Sequence, residues 1–365
     1  MITAGLYIHI PFCVKKCAYC NFYSVAYSPE FAQQYISELI KEISSYAKEK
    51  KIAVDTIYLG GGTPAILSLD LLERLIKTVY RTFDCQVKEF TIEVNPCSAQ
   101  DIKHYKYLGI NRISMGVQSL DDKILKMLGR RHDKSQALTA LENANKYFDN
   151  VSADFIIGVS GKRDLEKELN SICDFVKHVS GYILKLEKGT ELYQKYLNKS
   201  FILPDDDQTA DQYHLMYECL RSKGFERYEI SNFAKEGYQS EHNLKYWRMK
   251  EYIGAGVSAH SYFGGKRYYN EDSLAKYLQG RHKGNNAQIN EPLDALFETI
   301  MLGLRVAEGI NIDKINRLFR IDFEKKYEKV LRRIKPYMDI NSEGNIRIKD
   351  EYMLLQNSIV LEFMN

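Results

Sequence analysis

Three thiols fall within eight residues near the start of the chain, in Cys13-Val14-Lys15-Lys16-Cys17-Ala18-Tyr19-Cys20. This loop constrains the chain more than any other stretch. Three sulfurs so close cannot all pair as disulfides, because one is always left over. They can be ligands of one metal centre, and soft thiolates suit zinc or iron–sulfur. Structural zinc wants four closed ligands, and no fourth Cys or His follows within reach of the loop. A [4Fe–4S] cubane held by three thiolates keeps one iron open, where a substrate or cofactor can bind. The competing reading is cysteines packed as small apolar groups. Against it, the window holds three of the chain's seven cysteines and follows an apolar strand and a Pro-Phe turn.

The other four, Cys85, Cys97, Cys173 and Cys219, are scattered without spacing. That pattern fits a reducing cytoplasm and not a disulfide framework. The chain runs from Met1 straight into a strand with no signal-like segment. No run of eighteen apolar residues suggests a membrane span. The expectation is a cytoplasmic protein, with peripheral membrane contact left open. A net charge of +3 on 365 residues implies no polyanion-binding field.

For the first two thirds, apolar β-rich runs alternate with helical patterns. Strands are expected at Gly5–Ile10, Val54–Leu59, Glu89–Val94, Arg112–Gly116, Val151–Gly158 and Tyr182–Leu186. Helices begin after Ser28, Ser68 and Ser98 as N-caps, then at Asp121–Leu128 and Lys134–Tyr147, with one more running to about His178. Six β-then-α units imply parallel pairing with right-handed crossovers. An open doubly wound sheet and a curved partial barrel both satisfy that pattern. Residues 201–290 are less regular, with a helix at Thr209–Lys223. Helices at Leu293–Arg305, Asp313–Phe319 and Phe323–Met338, a hairpin at Asp339–Lys349 and a last helix at Leu354–Phe363 suggest a small winged-helix-like module. Between Asn311 and Asp350, eleven Lys/Arg against seven Asp/Glu leave an excess of four. So weak a footprint reads as a solvated helix face and not as a nucleic-acid site.

The loop, with Tyr19 as its aromatic, resembles the radical S-adenosylmethionine (SAM) signature C-x-x-x-C-x-aromatic-C. Tyr7-Ile8-His9-Ile10-Pro11-Phe12-Cys13 and Cys20-Asn21-Phe22 narrow the resemblance to the family of oxygen-independent coproporphyrinogen III oxidases and their HemW heme-chaperone relatives. It implies an α/β fold: a partial (β/α)6 barrel over residues 1–200, a barrel extension over 201–290, and a smaller helical, winged-helix-like domain over 291–365. It implies a [4Fe–4S] cluster on Cys13, Cys17 and Cys20. SAM would bind the open iron, and one electron would cleave it to methionine and a 5′-deoxyadenosyl radical.

Gly60-Gly61-Gly62-Thr63 follows the second strand directly, and glycines let backbone approach a ligand. The resemblance implies that Gly61, Gly62 and Thr63 contact SAM, as do Tyr7 and Tyr19 near the cluster. Glu93 ends the third strand between apolar neighbours, where a carboxylate is costly to bury unless paired; it matches the family's SAM-binding Glu. Gln118, Arg130 and Asp154 would line a SAM or substrate pocket. Gly158-Val159-Ser160-Gly161-Lys162 departs from the family's Gly-Leu-Pro-x-Gln, which puts that pocket edge in question.

Two features point to the chaperone branch. The oxidases carry a further Cys two residues after the third cluster Cys, where this chain has Phe22. They also have a longer extension before the strand-one Tyr. His242-Asn243-Leu244-Lys245-Tyr246-Trp247 matches H-N-x-x-Y-W of the heme chaperones. His242 is then a candidate axial ligand for heme, with Tyr246 and Trp247 as flat surface and His260 as a second candidate. The resemblance implies heme as cargo, heme-accepting respiratory proteins as partners, and an electron donor such as flavodoxin or ferredoxin. A homodimer stays open. The alternative is oxidative decarboxylation of coproporphyrinogen III.

Overall fold

The computed structural model describes residues 2–48, 52–161, 163–283 and 292–364. Six parallel strands form its centre: β1 (Ile2–Ile10), β2 (Ile52–Gly61), β3 (Asp84–Val94), β4 (Arg112–Gln118), β5 (Asn150–Ile157) and β6 (His178–Ile183). They lie side by side in chain order. That order decides between the two architectures. A doubly wound sheet reverses direction at a switch point, whereas here every crossover steps the same way, as in a barrel.

The sheet does not close. Tyr252–Ala255 pairs parallel to β1 on its outer side and leads into the antiparallel strands His260–Phe263 and Lys266–Tyr269. On the far edge, Asn232–Ala234 and Glu226–Arg227 pair antiparallel beyond β6. Residues 201–283 thus supply strands to both edges of one sheet. A domain boundary at 290 lies outside the described residues.

Strand alternation sorts the side chains. Leu6, Ile8, Ile57, Leu59, Phe90, Ile92, Ile113, Met115, Val151 and Ala153 face the helices and make the main core. Burying such side chains is worth roughly 1.5–3 kcal/mol each. The helices supply the matching apolar faces. Helix α1 (Pro29–Ser45) starts where the Ser28 hydroxyl accepts from Phe31 N at 3.2 Å. Helix α2 (Leu69–Thr82) is capped by Ser68 and buries Leu71, Leu72, Leu75, Ile76 and Val79.

Several boundaries differ from expectation. The third helix, α3 (Ile102–Tyr107), follows Asp101, whose side chain makes no capping hydrogen bond, and Ser98 instead ends a 3-10 turn, with its N–H on Asn95 O at 2.8 Å. The helix expected to run to His178 covers only Leu165–Asn170. The sixth strand begins at His178, because His178-Val179-Ser180 is paired on both sides, with Ser152–Asp154 and with Asn232–Ala234. The single helix expected over Phe323–Met338 is broken at Tyr327 into Phe323–Lys326 and Glu328–Ile334.

A second apolar cluster, with Leu296, Ile300, Ile315, Phe323, Val330, Ile348 and Phe363, organises the C-terminal helices and the hairpin Met338–Ile340/Ile346–Ile348. Among the described residues, no helix is long and apolar enough to cross a membrane.

Candidate metal and cofactor site

The barrel's inward face is polar. Alternate positions point Tyr7 and His9, Thr56 and Tyr58, Glu89, Thr91 and Glu93, Arg112 and Ser114, Ser152 and Asp154, and His178, Ser180 and Tyr182 away from the apolar cluster. A polar layer inside a barrel is expensive unless it is bonded, so its partners define what the site can do.

The thiol loop sits at the carboxyl end of β1, clamped by three segments. Gly62 N–H donates to Ile10 O and Thr63 N–H to Phe12 O, both at 2.8 Å. Ala18 N–H donates to Leu128 O at 3.0 Å, and Leu192 N–H donates to Ala18 O at 2.8 Å. Gly129 has φ 74°, and a Cβ there would lie 2.9 Å from Ala18 N, so the turn presses on the loop. All three thiols are half-buried. Cys17 Sγ accepts from Arg130 Nη1 at 3.2 Å, and Cys13 Sγ lies 3.9 Å from Thr63 Oγ1. Burial pushes the Cys13 and Cys20 thiols up, so a metal must drive their deprotonation. Three soft donors with a guanidinium beside one of them fit a thiolate-held, anionic cluster. Among the described residues, no three His, Cys, Asp or Glu side chains close on a single ion, as a tetrahedral zinc site requires.

Glu93 stands just inside this rim. Its Oε1 accepts from the Tyr58 hydroxyl and its Oε2 from Gly61 N–H, both at 3.0 Å. Burial, and then the nearby Asp154 carboxylate, push it up to about 7. Such a group is poised to accept an ammonium partner. Gly60 is bare because a Cβ would lie 2.9 Å from the Tyr58 ring; at Gly61, φ 109° and the His9 ring at 2.5 Å exclude any side chain. The N–H groups of Gly61, Gly62 and Thr63 are all committed, to Glu93, Ile10 and Phe12, so the segment has none left for a carboxylate.

Arg130 braces the rim, donating from Nη2 to Asn95 Oδ1 at 2.5 Å and to Gly116 O at 2.6 Å. Asn95 in turn donates to Thr63 Oγ1 at 2.8 Å. Asp154 accepts from Ser114 Oγ at 3.3 Å, and burial raises it. Tyr19 reaches over the rim within the fields of Arg130 and Asp154. Gln118 ends β4 in the left-handed region, φ 69°, at a bulge. Tyr7 donates into the same chamber wall, its hydroxyl 3.0 Å from His9 Nδ1. The structure therefore gathers Tyr7, Tyr19, Gly61, Gly62, Thr63, Glu93, Gln118, Arg130 and Asp154 around the carboxyl ends of β1–β5. Asn95, Tyr58 and Ser114 join them. Of these, Asn95 is two residues beyond Glu93 and so legible in sequence, whereas Tyr58 and Ser114 lie on other strands and carry no short-range signal. In the atypical loop, Lys162 lies outside the described residues.

The heme candidates do not join this group. His242, Tyr246 and Trp247 share one helix, Glu241–Trp247, at the amino end of the strands. His242 is fully buried, with Nδ1 2.9 Å from Thr56 Oγ1 and Nε2 2.8 Å from the Tyr246 hydroxyl. Burial lowers it to about 3. Both ring nitrogens are hydrogen-bonded in this arrangement. Trp247 lies under the Arg305 guanidinium at 4.4 Å. His260 is exposed on the edge hairpin, its ring 5.3 Å from that of Tyr269.

A three-thiol loop at the mouth of a partial barrel, with glycine backbone and a buried Glu beside it, defines the class: a radical SAM protein. The radical SAM superfamily model matches residues 7–175, and the HemN C-terminal domain model matches residues 290–355. The heme chaperone HemW of Lactococcus lactis subsp. lactis is 35% identical over 98% of this chain and 96% of its own. That of Bacillus subtilis is 32% identical over 98% of both. The mouse mitochondrial radical S-adenosyl methionine domain-containing protein 1 is 37% identical over 86% of this chain and 71% of its own. The chain belongs to the HemW family. Its fold is also that of coproporphyrinogen III oxidase (HemN) from Escherichia coli, with a TM-score of 0.84, 22% identity and coverage of 99% of this chain and 90% of that one. Membership implies a [4Fe–4S] cluster and SAM.

Proposed function

We propose that this protein is a heme chaperone that holds a [4Fe–4S] cluster on Cys13, Cys17 and Cys20, binds SAM beside it, and carries heme to acceptor proteins. The observation that carries the reading is the near full-length similarity to two bacterial heme chaperones. Phe22, where the oxidases have a further Cys, supports it from the sequence.

The cluster and SAM together supply one-electron, radical chemistry. This chain's residues do the rest. Glu93, held by Tyr58 and Gly61, takes the ammonium of SAM's methionine end, and the carbonyls of the Gly61–Thr63 stretch add to it. Arg130, whose terminal nitrogens hold Cys17, Asn95 and Gly116, would offer the carboxylate end its positive field. Tyr7 and Tyr19 flank the cluster, and Gln118 and Asp154 face the remainder of the cofactor or the cargo. The acceptors would be respiratory proteins, a flavodoxin or ferredoxin would reduce the cluster, and the setting would be cytoplasmic, at or near the membrane.

Two assays on anaerobically loaded protein test this. Heme titration should give a saturable Soret band and transfer to an apo-acceptor. Incubation with coproporphyrinogen III, SAM and reductant should give no vinyl product. Turnover to that product would replace the chaperone reading with the oxidase.

A further inference from the structure

We propose that the helix Glu241–Trp247 is the floor of the barrel, with His242 as its central bolt, and that this chain holds heme without His242. The second half rests on the heme-chaperone reading; the first stands on packing alone.

The helix closes the amino end of the strands through separate ties. Glu89, inside β3, accepts from Ser240 Oγ at 3.1 Å, Glu241 N–H at 2.8 Å and His242 N–H at 3.2 Å, so a strand carboxylate satisfies the first turn. Lys245 pairs with Asp55 of β2 at 2.7 Å. Gly5 of β1 has no room for a side chain: a Cβ would lie 2.9 Å from Lys245 Cδ and 3.1 Å from His242 Cε1. The helix thus rests directly on β1 and β2. His242 and Tyr246, one turn apart on one face, bond each other, and the imidazole also bonds Thr56. The His242 ring lies 5.4 Å from that of Tyr58, the residue that holds Glu93. Thr56 precedes Gly61 by five residues, about 16 Å of strand, so this floor is remote from the thiol loop.

The outer side is tied down as well. Trp247 stacks under Arg305, whose Nε donates to the fully buried Glu229 at 2.9 Å, and Arg248 pairs with Glu308 at 2.9 Å. The floor is therefore clamped to the C-terminal helices. An axial ligand must present a lone pair to open space. For His242 to do so, one ring nitrogen would have to give up Thr56 or Tyr246, and the ring would need open space where it now packs against Gly5 and Tyr58. The H-N-x-x-Y-W pattern is accounted for without heme: His and Tyr bolt the floor, and Trp takes the interdomain cation.

The test uses full-length, anaerobically reconstituted protein and the variants His242→Ala and Tyr246→Phe. Melting is followed, and heme is titrated at a temperature where each variant keeps the wild-type near-UV spectrum. His242→Ala should melt roughly 5 °C or more below wild type, and Tyr246→Phe by less. Both should keep the Soret maximum and bind heme within threefold of wild type. A folded variant with a shifted Soret band or a larger loss of affinity would overturn the proposal, as would an unchanged melting temperature for His242→Ala. If wild type itself binds no heme, the chaperone reading falls, and the melting comparison still decides whether the helix is the floor.

Discussion

Arg130 Nη1 lies 3.2 Å from Cys17 Sγ, while the same guanidinium holds Asn95 and Gly116 from its other arm. A fixed N–H aimed at a cluster thiolate stabilises the more reduced, more negative state. Arg130→Met should therefore lower the cluster's midpoint potential. The loss of one hydrogen bond to a charged group, roughly 1.5–3 kcal/mol, corresponds to about 65–130 mV for one electron. A redox titration followed by EPR, run without SAM, measures it directly. An unmoved potential would confine Arg130 to holding the rim.

Glu93 is raised to about 7 by burial and by Asp154. Its folded form binds a proton more tightly than the unfolded chain does. Apo stability should therefore fall as pH rises from about 4.5 to 7, by up to about 3 kcal/mol. Glu93→Gln should flatten that slope in denaturant titrations at several pH values. SAM affinity should move the opposite way in wild type, rising through neutrality as the carboxylate ionises, and calorimetry should find that rise missing in Glu93→Gln.

Two glycines carry the loop. Gly129→Ala puts a Cβ 2.9 Å from Ala18 N at φ 74°. The strain, roughly 1–3 kcal/mol, falls on the segment between Cys17 and Cys20. Iron content after reconstitution should drop well below that of wild type. Gly61→Ala should keep more of its iron but bind SAM poorly, because its clash is with His9 and its N–H holds Glu93.

Much of this site was legible because the chemistry is local. Three thiols in eight residues, a glycine run at a strand end and an isolated Glu between Ile and Val each announce themselves at short range. What stayed hidden depends on three-dimensional phase. Ser152, Ser180 and His178 read as weak strand formers, and the sixth strand was expected four residues late, because a polar-lined barrel interior does not alternate apolar with solvent. His242 looked like a ligand because nothing in sequence reveals that Thr56, 186 residues away, meets its ring. The commitment of the Gly61–Thr63 N–H groups was hidden for the same reason.

Arg112 is only 1% exposed and lies in the field of Glu89, which also holds the floor helix. Removing a buried guanidinium from the field of a buried carboxylate leaves that negative charge less compensated. Arg112→Met should lower the melting temperature more than Arg131→Met, whose side chain is exposed.

The central claim is the open iron. Anaerobic reconstitution of wild type should yield about four iron and four sulfide per chain, with an EPR signal of the reduced cluster that changes when SAM is added. Replacing Cys13, Cys17 and Cys20 by Ser, singly, should abolish it. Zinc in place of iron, or a cluster signal indifferent to SAM, would contradict the account.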